Sequence, residues 1–243
     1  MVKEARREGA PLLVLDAGNS LVGDIAPATT TKGASTIEAM NLIGYDAMAL
    51  GPDDLRLGAD VLKARAEEAE FPLLSANAVI SVTGELLASP YVVREVGGRR
   101  VGIVGITGDY RHDTLPDIRV LDPVTVTQQV VPELREDVDI VILLSSAGHA
   151  TDVSIAGLVP GIDLVVEGGP FISFGRATFV EENRTLLIHA DYASTGHAGR
   201  RVGKVILGFD EDDTLIGYDW QVIELGPEIA SDPRMLNWRA QYR

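Results

Sequence analysis

Several short segments of this chain carry apolar residues at successive rather than alternate positions, with polar residues mostly at their ends. They are LLVLD at 12–16, AMAL at 47–50, LLSA at 73–76, VGIVGIT at 101–107, DIVILL at 139–144 and DLVVE at 163–167. A strand that is apolar on both faces must be covered on both faces. Helical patterns at 34–43, 58–69, 123–136 and 151–159 separate these segments and supply the covering layers. In the 58–69 segment Leu62, Ala66 and Ala69 form one stripe, with Lys63, Arg65, Glu67 and Glu68 facing water. The alternation predicts a layered α/β fold. Gly97-Gly98, between strand-like runs at 91–96 and 101–107, predicts a hairpin, so the sheet is not purely parallel.

From about residue 176 the pattern changes. Segments 177–180, 186–190, 201–209 and 215–224 read as strands joined by turns at Glu182-Asn183 and at 210–213, an antiparallel meander added to the α/β body. The last segment reads as a short helix capped at Ser231 or Asp232, with Pro233 in its first turn. Without a repeat, linker or charge block, residues 1–243 read as a single domain.

Composition narrows the function classes. The absence of cysteine excludes a disulfide framework, a thiolate zinc site and a cysteine nucleophile. A formal charge of -15 and a pI near 4.6, with no basic run, argue against nucleic acid and anionic membrane surfaces as partners. No apolar run approaches the roughly 20 residues needed to span a bilayer. The first ten residues are charged and look like the end of an amphipathic helix, with no apolar leader region behind them. There is no G-x-S-x-G for serine hydrolysis and no G-x-G-x-x-G opening a helix.

Chemistry in such a fold gathers where strands exit into loops. Four exits stand out: Asp16-Ala17-Gly18-Asn19-Ser20, Gly51-Pro52-Asp53-Asp54, Ser145-Ser146-Ala147-Gly148-His149 and Gly168-Gly169-Pro170-Phe171. Taken alone, their glycines fit either plain sharp turns or a site.

Their order resembles the metallophosphoesterase (calcineurin-like) superfamily, in its 5′-nucleotidase and 2′,3′-cyclic phosphodiesterase branch. LLVLDAGNSLVGD is similar to the branch's strand ending in Asp-Ala-Gly-Asp. MNLIGYDAMALGPDDLRLG resembles its helix, strand and Gly-Asn-His-Glu turn, and FPLLSANA the strand that follows. VGGRRVGIVGIT is similar to its hairpin and central strand. DIVILLSSAG stands where the branch has a Leu-Ser-His exit, VPGIDLVVEGGPF where it has Gly-His-x-His, and HADYASTGHAGRRVGKVIL resembles the closing segment of the second sheet. The resemblance implies a four-layer α/β/β/α sandwich with two facing mixed sheets. It also implies, in relatives, two divalent metals that clamp a phosphate and activate water, and a setting that is often periplasmic or extracellular.

Carried over residue by residue, the same resemblance implies that the metal site is degenerate. Asn19 stands for the bridging Asp, and Pro52 for the ligating Asn of the Gly-Asn-His-Glu turn. Asp53 stands for the His that steadies the phosphoryl group, Ser146 for the metal His of the Leu-Ser-His exit, and Gly169 and Phe171 for the two His of Gly-His-x-His. The family's opening Asp-x-His strand and its C-terminal substrate domain are expected to lie outside residues 1–243. The expectation is a metal-free, non-catalytic module that binds a small ligand in the old cleft, or a neighbouring domain or protein. The alternative is a phosphoester hydrolase with a metal site rebuilt from Asp53, Asp54, His149 and His197. His112 reads as a surface loop residue and His189 as a half-buried structural one.

Overall fold

In the computed structural model, residues 1–22, 26–109, 115–169, 175–190 and 200–242 are described. In chain order the elements are α1 (Val2–Arg7), β1 (Leu15–Asp16), α2 (Ala34–Ile43), β2 (Ala47–Ala49), α3 (Ala59–Glu68), β3 (Leu73–Leu74), β4 (Ala78–Ile80), β5 (Tyr91–Val96), β6 (Arg99–Ile106), β7 (Ile118–Val120), α4 (Pro123–Arg135), β8 (Ile140–Ser145), α5 (His149–Leu158), β9 (Leu164–Glu167), β10 (Arg176–Val180), β11 (Thr185–His189), β12 (Arg201–Phe209), β13 (Leu215–Glu224) and α6 (Pro233–Gln241). A 3-10 turn, Asp54–Leu57, precedes α3.

The apolar runs become a six-stranded sheet in the order β10-β11-β9-β8-β6-β5. Its centre is parallel, β6 with β8, β8 with β9 and β9 with β11, while β5 and β10 pair antiparallel at its two edges. A three-stranded parallel sheet, β1-β2-β3, packs against one face. Ala47, Ala49 and Leu74 meet Ile103, Ile142, Leu144 and Leu164 there, all nearly or wholly buried. The opposite face of the six-stranded sheet carries α4 and α5 through Val131, Leu134, Ile155 and Ala156. The outer face of the three-stranded sheet carries α2 and α3 through Ile37, Met40, Met48 and Leu62. These are the four layers that the resemblance implied.

Two details differ from the sequence expectation. The strands after residue 176 are not one meander. β10 and β11 form a hairpin that joins the main sheet, because β11 pairs in parallel with β9. β12 and β13 form a separate two-stranded sheet over the same inner core. The segment expected as a strand at 12–16 pairs only at Leu15 and Asp16, where it meets Ala47 and Met48. The Gly97-Gly98 hairpin does form, with both glycines at positive φ, 61° and 80°, as a two-residue turn of matching twist requires. The final helix begins as expected: the Asp232 carboxylate accepts the Arg234 N–H at 2.8 Å.

The two tryptophans hold separate parts. Trp220 of β13 donates its indole N–H to the Gly175 carbonyl at 2.9 Å. Trp238 of α6 donates to Glu38 of α2, which also accepts the Tyr242 hydroxyl. The layers meet most closely at Gly105, where a Cβ would lie 2.6 Å from the backbone of Leu74. Gly105→Ala is therefore expected to cost about 3 kcal/mol, the upper end for overpacking, because backbone gives way less than a side chain does. Urea denaturation would check this.

Candidate functional site

The loops leaving β1, β2, β6, β8 and β9 converge at one end of the sandwich, and glycines set how closely. A Cβ on Gly18 would lie 2.8 Å from the Gly51 N, one on Gly108 2.3 Å from the Ser146 carbonyl oxygen, and one on Gly168 2.6 Å from the Ala17 carbonyl oxygen. Each contact joins the exits of two different strands.

The first two exits are stitched directly together. Asp54 is wholly buried, and its carboxylate accepts N–H bonds from Leu21 at 2.9 Å, Asn19 at 2.8 Å and Gly51 at 2.9 Å. Asn19, at φ 65°, returns the tie by accepting the Asp53 N–H on its Oδ1 at 2.8 Å. Asp16 lies beside them, its oxygens taken by the Gly18 N–H and the Ser20 hydroxyl. Burial pushes Asp54 up to about 7, against its three amide bonds and helped by the charge of Asp16, and burial raises Asp16 as well.

Beneath the exits runs a buried polar net. Asn77 accepts the Thr107 N–H and donates to the carbonyls of Thr107 and Leu121. The Thr107 hydroxyl bonds to Ser75 and to the Leu50 carbonyl. It ties the ends of β2, β3 and β6, fixing the floor of the cleft. Ser146 points into this region: its hydroxyl accepts the Gly108 N–H at 3.2 Å. Pro52 borders a cavity of about 210 Å³, together with Leu55, Gly108, Asp109 and Ile118.

A second group surrounds the end of β9; the sequence singled out His149 in it, but as a partner of Asp53, Asp54 and His197 rather than of Glu167 and Asp152. His149 opens α5, and its Nδ1 lies 2.8 Å from Glu167 Oε1, at the last position of β9. Glu167 is pushed up to about 7 by burial. His149 is lowered, by burial first and by Arg176 second. Asp152, one helical turn on, is wholly buried; Ser145 donates to its Oδ1, Oδ2 has no hydrogen-bond partner, and burial holds it well above the usual carboxylate range. The parallel register sets Ser145 opposite Glu167, which brings the group together. No sequence motif marks it; an acid ending an otherwise apolar strand was the one available signal. His189 is wholly buried rather than half-buried, with Nδ1 3.0 Å from the Glu167 carbonyl oxygen.

The expected positions thus divide. Asn19, Asp53 and Asp54 form the clasp between the β1 and β2 exits, while Pro52 and Ser146 line the neighbouring exits. Gly169 is a left-handed turn residue at φ 86° after β9. Phe171, His112 and His197 lie outside the described residues. Among the described residues, no three His, Asp or Glu side chains gather as a metal site.

A four-layer sandwich with its glycine-lined exits converging at one end is the fold of the calcineurin-like phosphoesterases. The 5′-nucleotidase precursor of Thermus thermophilus superposes with a TM-score of 0.79 over 99% of this chain and 51% of its own, at 27% identity. The sulfate thiohydrolase SoxB of the same source superposes at 0.84 over 98% of this chain and 43% of its own; at 22% identity it speaks to the fold alone. Human 5′-nucleotidase is 31% identical over 258 residues, 96% of this chain and 44% of that protein. No family model matches the chain. The chain belongs to the 5′-nucleotidase branch of the metallophosphoesterase superfamily, and it spans about half the length of the relatives it matches.

Proposed function

We propose that this chain is a 5′-nucleotidase-like domain that no longer carries the dimetal chemistry of its relatives and serves as a binding module. The observation that carries the reading is the clasp. Asn19 and Asp54 join the β1 and β2 exits to each other through three hydrogen bonds, and a fourth, from the Gly51 N–H to Asp54, braces the β2 exit itself. In the relatives, by the resemblance, these exits hold metal between them. An amide, a proline, a buried hydroxyl and a glycine at positions 19, 52, 146 and 169 are a poor donor set for two divalent cations, which call for carboxylate and imidazole.

The cavity beside Pro52 supplies room for a small ligand, walled by Leu55 and Ile118 with Asp109 and Arg119 as its charged groups. A net charge of -15 disfavours a phosphate-rich ligand there, since Arg119 is the single basic residue among the described residues lining the cavity.

Elemental analysis of the purified protein, followed by manganese and zinc titration with bis(p-nitrophenyl) phosphate as substrate, tests the reading. The expected result is substoichiometric metal and no turnover above the blank. Stoichiometric metal with metal-dependent turnover, abolished by His149→Ala, would overturn it in favour of a rebuilt hydrolase site.

A further inference from the structure

Helices normally dock through an apolar stripe. The terminal helix does not. None of the residues of α6 is buried. The side it turns toward α2 carries Arg234, Asn237, Trp238 and Gln241, at the i, i+3, i+4 and i+7 spacing of one helix face. A single carboxylate seats it: Glu38 accepts the Trp238 indole N–H at 3.2 Å and the Tyr242 hydroxyl at 2.5 Å. Between the two helices lies an open groove of about 490 Å³, with Glu38, Asn41 and Leu42 as its α2 wall. Small-molecule sites run from about 300 to 1,000 Å³, so the groove is of that size. It shares no lining residue with the cavity beside Pro52.

Part of the lining is fixed and part is open. The Asn41 carboxamide donates to the Glu68 carbonyl and accepts the Glu70 N–H, both at 2.9 Å, which holds the α2 wall in place. The Trp238 ring is set by its bond to Glu38 and by the Tyr242 ring, 5.3 Å away and tilted by 55°. Tyr242 does not line the groove, so it braces the indole from behind. Asn237 and Gln241 are different. They are exposed, and among the described residues their carboxamides make no hydrogen bond to another side chain or to the backbone.

We propose that this groove binds a neutral sugar, with one ring stacked on Trp238 and its hydroxyls on Asn237 and Gln241. The lining selects that chemistry. An indole offers a flat apolar face, and one whose N–H is already engaged offers little else. A carboxamide both donates and accepts, as a hydroxyl does. A ring that is apolar on one face and carries hydroxyls around its rim matches both groups at once. Charge argues against an anion: Arg234, the one cation lining the groove, is paired with Asp232 at 3.3 Å, and the chain carries a net charge of -15. This inference does not depend on the reading of the cleft.

Saturation-transfer difference NMR on the wild-type protein tests it, with maltose, cellobiose and N-acetylglucosamine as probes. Saturable transfer to the ring C–H protons of at least one of them is expected. Trp238→Ala should abolish it, but that change also removes a tie between α6 and α2. The paired variant Asn237→Ala/Gln241→Ala removes no contact within the fold, so its circular dichroism should be unchanged. Its dissociation constant is expected to rise by about tenfold, for the loss of two hydrogen bonds. No saturable transfer to any of the three sugars would overturn the proposal. So would transfer with the same dissociation constant in the paired variant, which would place the sugar elsewhere. Transfer to adenosine with none to the sugars would overturn it in favour of a base-stacking site.

Discussion

Asp54→Ala is expected to destabilise the domain by about 3–5 kcal/mol, read as a lowered urea midpoint with an unchanged slope. The side chain is wholly buried and accepts three backbone N–H bonds from two separate loops. Alanine leaves all three donors in a dry site, each costing about 1–3 kcal/mol, and the relief of burying a carboxylate returns part of that. Asp54→Asn is the discriminating companion. Its carbonyl still accepts two of the three donors while its NH2 group faces the third, so its loss should be clearly smaller, about 2 kcal/mol. Equal losses for both variants would mean that Asp54 acts through its charge rather than as an acceptor.

The domain is also expected to be more stable at pH 5 than at pH 8, by an amount visible as several degrees in Tm. Burial raises Asp54 from 3.8 to about 7 and Glu167 from 4.5 to about 7, and it raises Asp16, Asp152 and Asp163 as well. Between about pH 4 and 7 the folded chain therefore holds more protons than the unfolded one. Stability falls as pH rises wherever that is so. His149 works the other way, since its lowered value makes the folded form the poorer proton binder below 6.5. One imidazole against five carboxyls does not reverse the trend. Asp54→Asn and Glu167→Gln should each flatten the profile, and thermal melts across pH 5–8 would measure it. A profile that rises toward pH 8 would contradict the assignment.

Legibility of the sequence followed the physics of each element. Strands buried on both faces, such as β6, β8 and β9, announce themselves because their interior residues are apolar in succession. The β4 and β7 pair escaped notice, because three-residue strands flanked by Asn77 and Pro116 look like loop. β1 came out shorter than its apolar run because pairing, not composition, defines a strand, and Leu12, Leu13 and Val14 have no ladder partner among the described residues. The exits were legible from their glycines, and close backbone approaches at Gly18, Gly108 and Gly168 account for them.

What side chains do at those exits was harder to read. A carboxylate aimed at backbone amides and one aimed into a cleft look alike in sequence, so Asp54 stood beside Asp53 as a ligand candidate. Asp152 carries no sequence signal, since nothing local shows that its turn faces the sheet. The His149–Glu167 contact needs the parallel register of β8 and β9 and the start of α5 together, a coincidence of three elements that no spacing encodes.

The placing of the two indoles gives the protein a built-in pair of optical reporters. Trp220 of the β12-β13 hairpin is fixed to Gly175, just before β10, and Trp238 sits on a helix held to α2 at Glu38. Emission from a Trp220→Phe variant would follow only the detachment of the terminal helix. Emission from a Trp238→Phe variant would follow only the hairpin. Whether this sandwich comes apart as one cooperative body or sheds its last helix first could then be read from fluorescence alone, without an added dye.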